Sequence, residues 1–151
     1  MGMDVYGKSA SAKEGEYFCN NCWWWRPLAR YAVEVAPEVT AACTHWQSND
    51  GDGLDADGAV KLADALQAEI DAGRTAAREK EYMGKLEALP DIPCNLCGGS
   101  GKKADMEVAN GCNKCHGKGN VRPDETHYPF SAENVQEFVT FLRASGGFEI
   151  N

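Results

Sequence analysis

The sequence predicts a mostly α fold, a small α+β protein in which a helical domain carries a hairpin module inserted before its C-terminal helix. Two observations predict it. Apolar residues recur at helical spacing in three separate stretches, and a glycine- and cysteine-rich segment with almost no apolar residues interrupts them. The chain has 151 residues, 43% of them hydrophobic, enough for a real core.

Residues 1–15 read as an irregular polar lead. An aromatic cluster follows: Tyr17, Phe18, Trp23, Trp24, Trp25 and Tyr31. Three adjacent tryptophans cannot all face inward from one helix, so one or two belong to the core and at least one to the surface. Pro27 suits the first position of a helix carrying Leu28, Tyr31 and Val35 on one side. Pro37 restarts a short helix through PEVTAACTHW, and QSNDGDGLD reads as a turn-rich loop.

Asp55 reads as the N-cap of a helix over 56–72, with Ala59, Leu62, Leu66 and Ile70 as its stripe. Gly73 ends it. A second helix over 75–89 carries Tyr82, Met83, Leu86 and Leu89, and Pro90 and Pro93 stop it. Ser131 caps a last helix over 132–144, whose apolar face is Val135, Phe138, Val139 and Leu142. The domain boundaries expected from this pass are 1–93, 94–120 and 121–151, the last packing back on the first.

The middle segment contains two stretches that align without gaps: Cys94-Asn-Leu-Cys97-Gly-Gly99-Ser-Gly101 and Cys112-Asn-Lys-Cys115-His-Gly117-Lys-Gly119. Both obey C-x-x-C-x-G-x-G. Two residues between cysteines let one tight turn aim both sulfurs at a single point, and zinc takes four such ligands in a tetrahedron. The glycines open backbone angles that turn amide N–H groups toward the thiolates. The expectation is one Zn²⁺ per chain on Cys94, Cys97, Cys112 and Cys115, with His116 and His127 as substitute ligands nearby. A closed four-thiolate site leaves no coordination position for substrate, so the expected role is structural.

These paired units resemble the cysteine-rich zinc region of DnaJ-type co-chaperones. The resemblance covers residues 94–119 and implies metal ligation by the same four cysteines. That family has four such units where this chain has two. Its His-Pro-Asp signature is missing from the sequence, so the resemblance carries metal binding and not chaperone activity. The opening MGMDVYGK and the segment NNCWWWRPL resemble small bacterial and phage proteins, which implies a cytoplasmic, prokaryotic-type setting.

Three further groups invite a functional reading. Cys19-Asn-Asn-Cys22 is a third C-x-x-C. It fits a redox dithiol, half of a second zinc site with Cys43 and His45, or two thiols in an aromatic core. With no following glycines and no strand signal before it, the sequence favours the core. The triplet Trp23-Trp24-Trp25 with Arg26 fits a peptide-gripping or base-stacking surface. Asp50, Asp52, Asp55 and Asp57 have the composition of a calcium loop but not its spacing, and read as a polar turn plus an N-cap.

Charge narrows the partners. Fifteen basic against 23 acidic side chains give a net −8, which disfavours non-specific nucleic-acid binding. Residues 94–122 run the other way, with Lys102, Lys103, Lys114, Lys118 and Arg122 against Asp105 and Glu107. Residues 1–16 lack the apolar run of a signal peptide, and no stretch approaches the roughly 20 apolar residues of a membrane span. The sequence thus reads as a cytoplasmic, non-enzymatic, zinc-stapled module that binds a protein or polypeptide. The alternatives are a thiol-disulfide oxidoreductase using Cys19 and Cys22 and a single-stranded nucleic-acid binder.

Overall fold

The structure, a computed structural model, describes residues 2–102 and 111–151. The chain divides into two compact units, Met1–Met83 with Tyr128–Asn151, and Gly84–His127. Lys103, Asp105 and Glu107, which entered the charge reading above, lie outside the described residues.

The first unit is α+β. Its strands are β1 (Gly2–Gly7), β2 (Tyr17–Asn21), β3 (Asp52–Leu54) and β6 (Phe148–Ile150), in the antiparallel order β2-β1-β6-β3. Its helices are α1 (Cys22–Val35), the single turn α2 (Pro37–Thr40), α3 (Ala56–Asp71), most of α4 (Arg74–Ala88) and α5 (Ala132–Ser145). The predicted polar lead is therefore a strand. Met3 and Val5 alternate inward there, and Val5 pairs with both Phe18 and Ile150. The strand is stabilised by partners from the far end of the chain, which a local reading cannot see.

Several helix signals act as the sequence predicts. Asp55 accepts a hydrogen bond from the Gly58 N–H and caps α3. Ser131 does the same for α5 through the Asn134 N–H. The predicted start of α1 is displaced. Asn21 is its N-cap, accepting from the N–H groups of Trp23 and Trp24 at 3.1 Å each, and Pro27 lies inside the helix. A strong cap at Asn21 outweighs the one backbone bond that Pro27 removes. The helix from Pro37 is a single turn, after which the chain enters turns.

One sheet face packs on the helices through rings. Phe138 of α5 lies 5.1 Å from Phe18 and 5.7 Å, edge-on, from Trp25, and Phe148 packs against Trp46, Phe138 and Phe141. Leu62, Leu66, Val135 and Leu142 are fully buried in the same core. The buried polar atoms are paired: the Trp25 indole donates to the Trp46 carbonyl at 2.6 Å, and the Tyr31 and Thr75 hydroxyls meet at 2.9 Å. The tryptophan triplet divides as its spacing requires, Trp25 at 0% exposure, Trp23 at 42% and Trp24 at 36%. Among the described residues no helix is long and apolar enough to cross a membrane.

Trp25→Ala should cost about 3–5 kcal/mol, from lost burial, the cavity left behind and the orphaned Trp46 carbonyl. Trp24→Ala should cost about 1 kcal/mol or less. Urea unfolding of the two variants measures the contrast.

Candidate metal centre

The second unit runs from the last turn of α4 through β4 (Ile92–Pro93) and β5 (Asn120–Val121) to a 3-10 turn at Asp124–His127. The two strands form an antiparallel pair, Ile92 opposite Val121 and Pro93 opposite Asn120. Arg122 ties the pair to the end of the helix. Its guanidinium donates to the carbonyls of Leu86 and Leu89 and meets the Asp91 carboxylate at 3.3 Å. The apolar content is small. The buried cluster consists of Cys94, Cys112 and Cys115, with Cys97 and Val121 packed against it.

Each C-x-x-C-x-G-x-G segment folds into a knuckle, and three bonds of one recur in the other. The Ser100 N–H donates to the Cys97 carbonyl at 3.2 Å, as the Lys118 N–H does to the Cys115 carbonyl at 3.0 Å. The Gly101 N–H points at the Cys97 sulfur and the Gly119 N–H at the Cys115 sulfur, both at 3.3 Å. The Cys94 N–H donates to the Gly119 carbonyl and the Cys112 N–H to the Gly101 carbonyl, both at 2.8 Å. These crossed bonds bind each knuckle to the other.

The crossing requires glycine. Gly101 and Gly119 have φ of +71° and +81°, and a Cβ on either would lie 2.4 Å from a carbonyl oxygen, that of Gly117 or of Gly99. Gly98 also sits in the left-handed region, yet nothing lies within 4 Å of a Cβ there. Its counterpart in the second knuckle is His116, at φ +51°, in the same conformation without a glycine.

The result is a tight quartet. The sulfurs of Cys94 and Cys112 lie 3.8 Å apart, as do those of Cys97 and Cys115, and all four ligand atoms lie within 4.8 Å of one another. A tetrahedral metal with sulfur at about 2.3 Å has an edge of about 3.8 Å, far longer than the about 2.05 Å of a disulfide. The cysteines are free thiols, and the quartet fits one ion. Burial disfavours ionisation of Cys97, but the N–H groups of Gly101 and Gly99 and the thiols of Cys94 and Cys115 outweigh it and draw its pKa down to about 6. Cys112 is lowered chiefly by the Cys115 N–H, against burial. Cys115 is raised, burial first among the causes. The pocket itself therefore favours thiolate at part of the quartet before any cation arrives.

Neither His116 nor His127 joins the quartet, and among the described residues no other group of three or more cysteine, histidine or carboxylate side chains converges. Cys19 and Cys22 correct the core reading. Cys19 lies within β2, where alternation along this edge strand turns Phe18 inward and Cys19 outward. Cys22 is half-buried at the first position of α1. Cys43 lies in the core, its thiol pushed up to about 12 by burial and then by the Asp52 charge. His45 is likewise engaged with Asp52, its Nδ1 at 3.1 Å.

Asp52 is the residue the sequence reading undervalued. Its carboxylate accepts from the N–H groups of Thr44, His45 and Gly53 at 2.7, 2.8 and 2.8 Å. Burial alone would raise its pKa, but these three bonds hold it well below the usual carboxylate range. It staples the loop before β3, and its charge adds to the burial that raises the Cys43 thiol. Asp55, meanwhile, is an N-cap, so two members of the acidic cluster have local structural work.

The chain matches no protein-family model, no curated protein and no solved structure.

Gly101→Ala and Gly119→Ala should each weaken metal binding at least about tenfold, a loss of about 1.4 kcal/mol, while Gly98→Ala retains it. Competition with a chromophoric chelator measures all three. Asp52→Ala should destabilise the first unit by about 1–3 kcal/mol at neutral pH. The folded carboxyl ionises at lower pH than the unfolded one, so the unfolded chain binds its proton first. The contribution is complete above the unfolded value, about pH 4, and is lost as pH falls through the folded value. The gap between wild type and variant in urea titrations should close over that acid range.

Proposed function

We propose that this chain is a zinc-binding protein whose four-cysteine site is structural, and that the knuckle unit serves as a non-enzymatic module for binding another protein or polypeptide. The carrying observation is the pair of 3.8 Å sulfur separations across the two knuckles. Tetrahedral sulfur coordination selects zinc or iron, and zinc suits a role without electron transfer. With four thiolates in place, the ion has no position for water or substrate. What it does is hold shape: the second unit has little apolar surface to bury, so coordination is the main source of its order. Binding of such an ion contributes on the order of 10 kcal/mol to the folding of a small module.

A shaped, glycine-rich loop unit with Lys102, Lys114 and Lys118 on it favours an acidic partner. Trp23 and Trp24, exposed on the first unit, supply an aromatic surface of the kind that partners cover. The oxidoreductase alternative draws support from the exposure of Cys19 and from the place of Cys22 at the first position of α1.

Metal analysis of the purified chain should give one zinc per chain. Cys94→Ser or Cys115→Ser should abolish binding and Cys19→Ser should not. Two zinc ions per chain would overturn the single-site reading, and turnover in an insulin-reduction assay that depends on Cys19 would replace it with the redox one. Chelation should disorder the knuckle unit and leave most helical circular dichroism in place, because the aromatic core belongs to the first unit. Loss of the whole helical signal on chelation would contradict this.

A further inference from the structure

The two knuckles share every residue that the metal geometry uses. They differ at three positions between the first cysteine and the last glycine: Leu96, Gly98 and Ser100 in the first are Lys114, His116 and Lys118 in the second. All three second-knuckle residues line a single cleft of about 480 Å³ in the second unit, and none of the first-knuckle counterparts does. Lys102, just after the first knuckle, does not line this cleft; the two lysines within the paired segments both belong to the second knuckle and both line it.

The cleft's charges are only partly spoken for. Arg122 is engaged with Asp91 and with helix carbonyls. Lys114 is held by the neutral side-chain oxygen of Asn95 at 2.9 Å, which positions its charge without cancelling it. Asp124 is the remaining carboxylate in the lining, set against two lysines, and Cys115 brings the thiolate centre, still net negative with a divalent ion bound, to the same lining. His116 takes up a left-handed backbone that its counterpart satisfies with glycine, and so brings an imidazole to the rim. Asn120 and Val121 of β5 form another wall. That strand pairs with β4 on one side, and its other edge is unpaired among the described residues, so its peptide groups are available to an extended chain.

We propose that this cleft binds an acidic segment of polypeptide, its carboxylates on Lys114 and Lys118 and its backbone along β5. The proposal rests on the structural-zinc reading and names the partner of that unit. Range of charge favours a short peptide over nucleic acid. Beyond a Debye length of about 8 Å the chain's net −8 is screened from a short ligand. A long polyanion would run out over the rest of that acidic surface.

The test uses the full zinc-loaded chain and a variant whose second knuckle takes the residues of the first, K114L/H116G/K118S. The probes are a fluorescent peptide of alternating Glu and Thr, the same peptide with Gln for Glu, and oligothymidylate, followed by fluorescence anisotropy at low and high salt. Zinc content is measured on every sample. The expected result is one zinc in both proteins, with the variant binding the Glu peptide about tenfold or more weakly and losing the salt dependence of the wild type. Equal binding by the variant, or equal binding of the Gln peptide by the wild type, overturns the proposal. Binding of oligothymidylate in preference to the peptide overturns the choice of partner. Zinc-loaded wild type that ignores the Glu peptide removes the cleft and leaves the metal reading standing. Wild type that holds no zinc removes both.

Discussion

Two loops can cross closely enough to bring four sulfurs together only where no side chain intervenes. At Gly101 and Gly119 each backbone passes within reach of the other's carbonyl, and the crossed bonds from Cys94 and Cys112 depend on that passage. The same turns present N–H groups to the Cys97 and Cys115 sulfurs. Backbone geometry, thiolate stabilisation and ligand placement are thus one constraint seen from three sides. A single methyl at either glycine would disturb all of them.

The chain uses two kinds of cohesion. In the first unit the stabilising surface is apolar, with rings from α1, α5 and β6 meeting over the sheet and every buried side-chain polar atom among the described residues finding a partner. Burial of this kind is spread over many contacts and tolerates small changes at its edge. In the second unit cohesion is concentrated in four atoms. Those four atoms could hold a metal ion, and cohesion through such an ion would be directional, depend on ligand charge, and yield to a competitor for the ion without a covalent bond being touched.

What the sequence disclosed follows from the range of each signal. α3 and α5 were legible because periodicity and cap agreed within one helix length, at Asp55 with Leu62 and Leu66, and at Ser131 with Phe138 and Leu142. Pro27 is a conspicuous start signal and Asn21 a quiet one, so the sequence places the start of α1 too late. The four-stranded sheet is not legible in the sequence. β1 contains Gly2, Asp4 and Gly7, poor strand formers, and β3 and β6 have three residues each; they exist through pairing across the length of the chain. The cysteine spacing, by contrast, is a local signal for a local structure. The difference between the two knuckles was visible in the alignment of their residues, but only the fold shows that all three changes face one cleft.

Each knuckle supplies two vertices of a tetrahedron, and a tetrahedron has twofold axes through the midpoints of its opposite edges. Any peptide that can present one edge is therefore completed by its own rotated copy, and an ion needs only one eight-residue solution written twice. Once both copies lie in a single chain they inherit no obligation to stay identical. The ligand and crossing positions remain bound by the axis, while the residues between them are free to diverge. Gly98 and His116, alike in backbone and unlike in chemistry, mark where the symmetry of the centre ends and the individuality of each face begins.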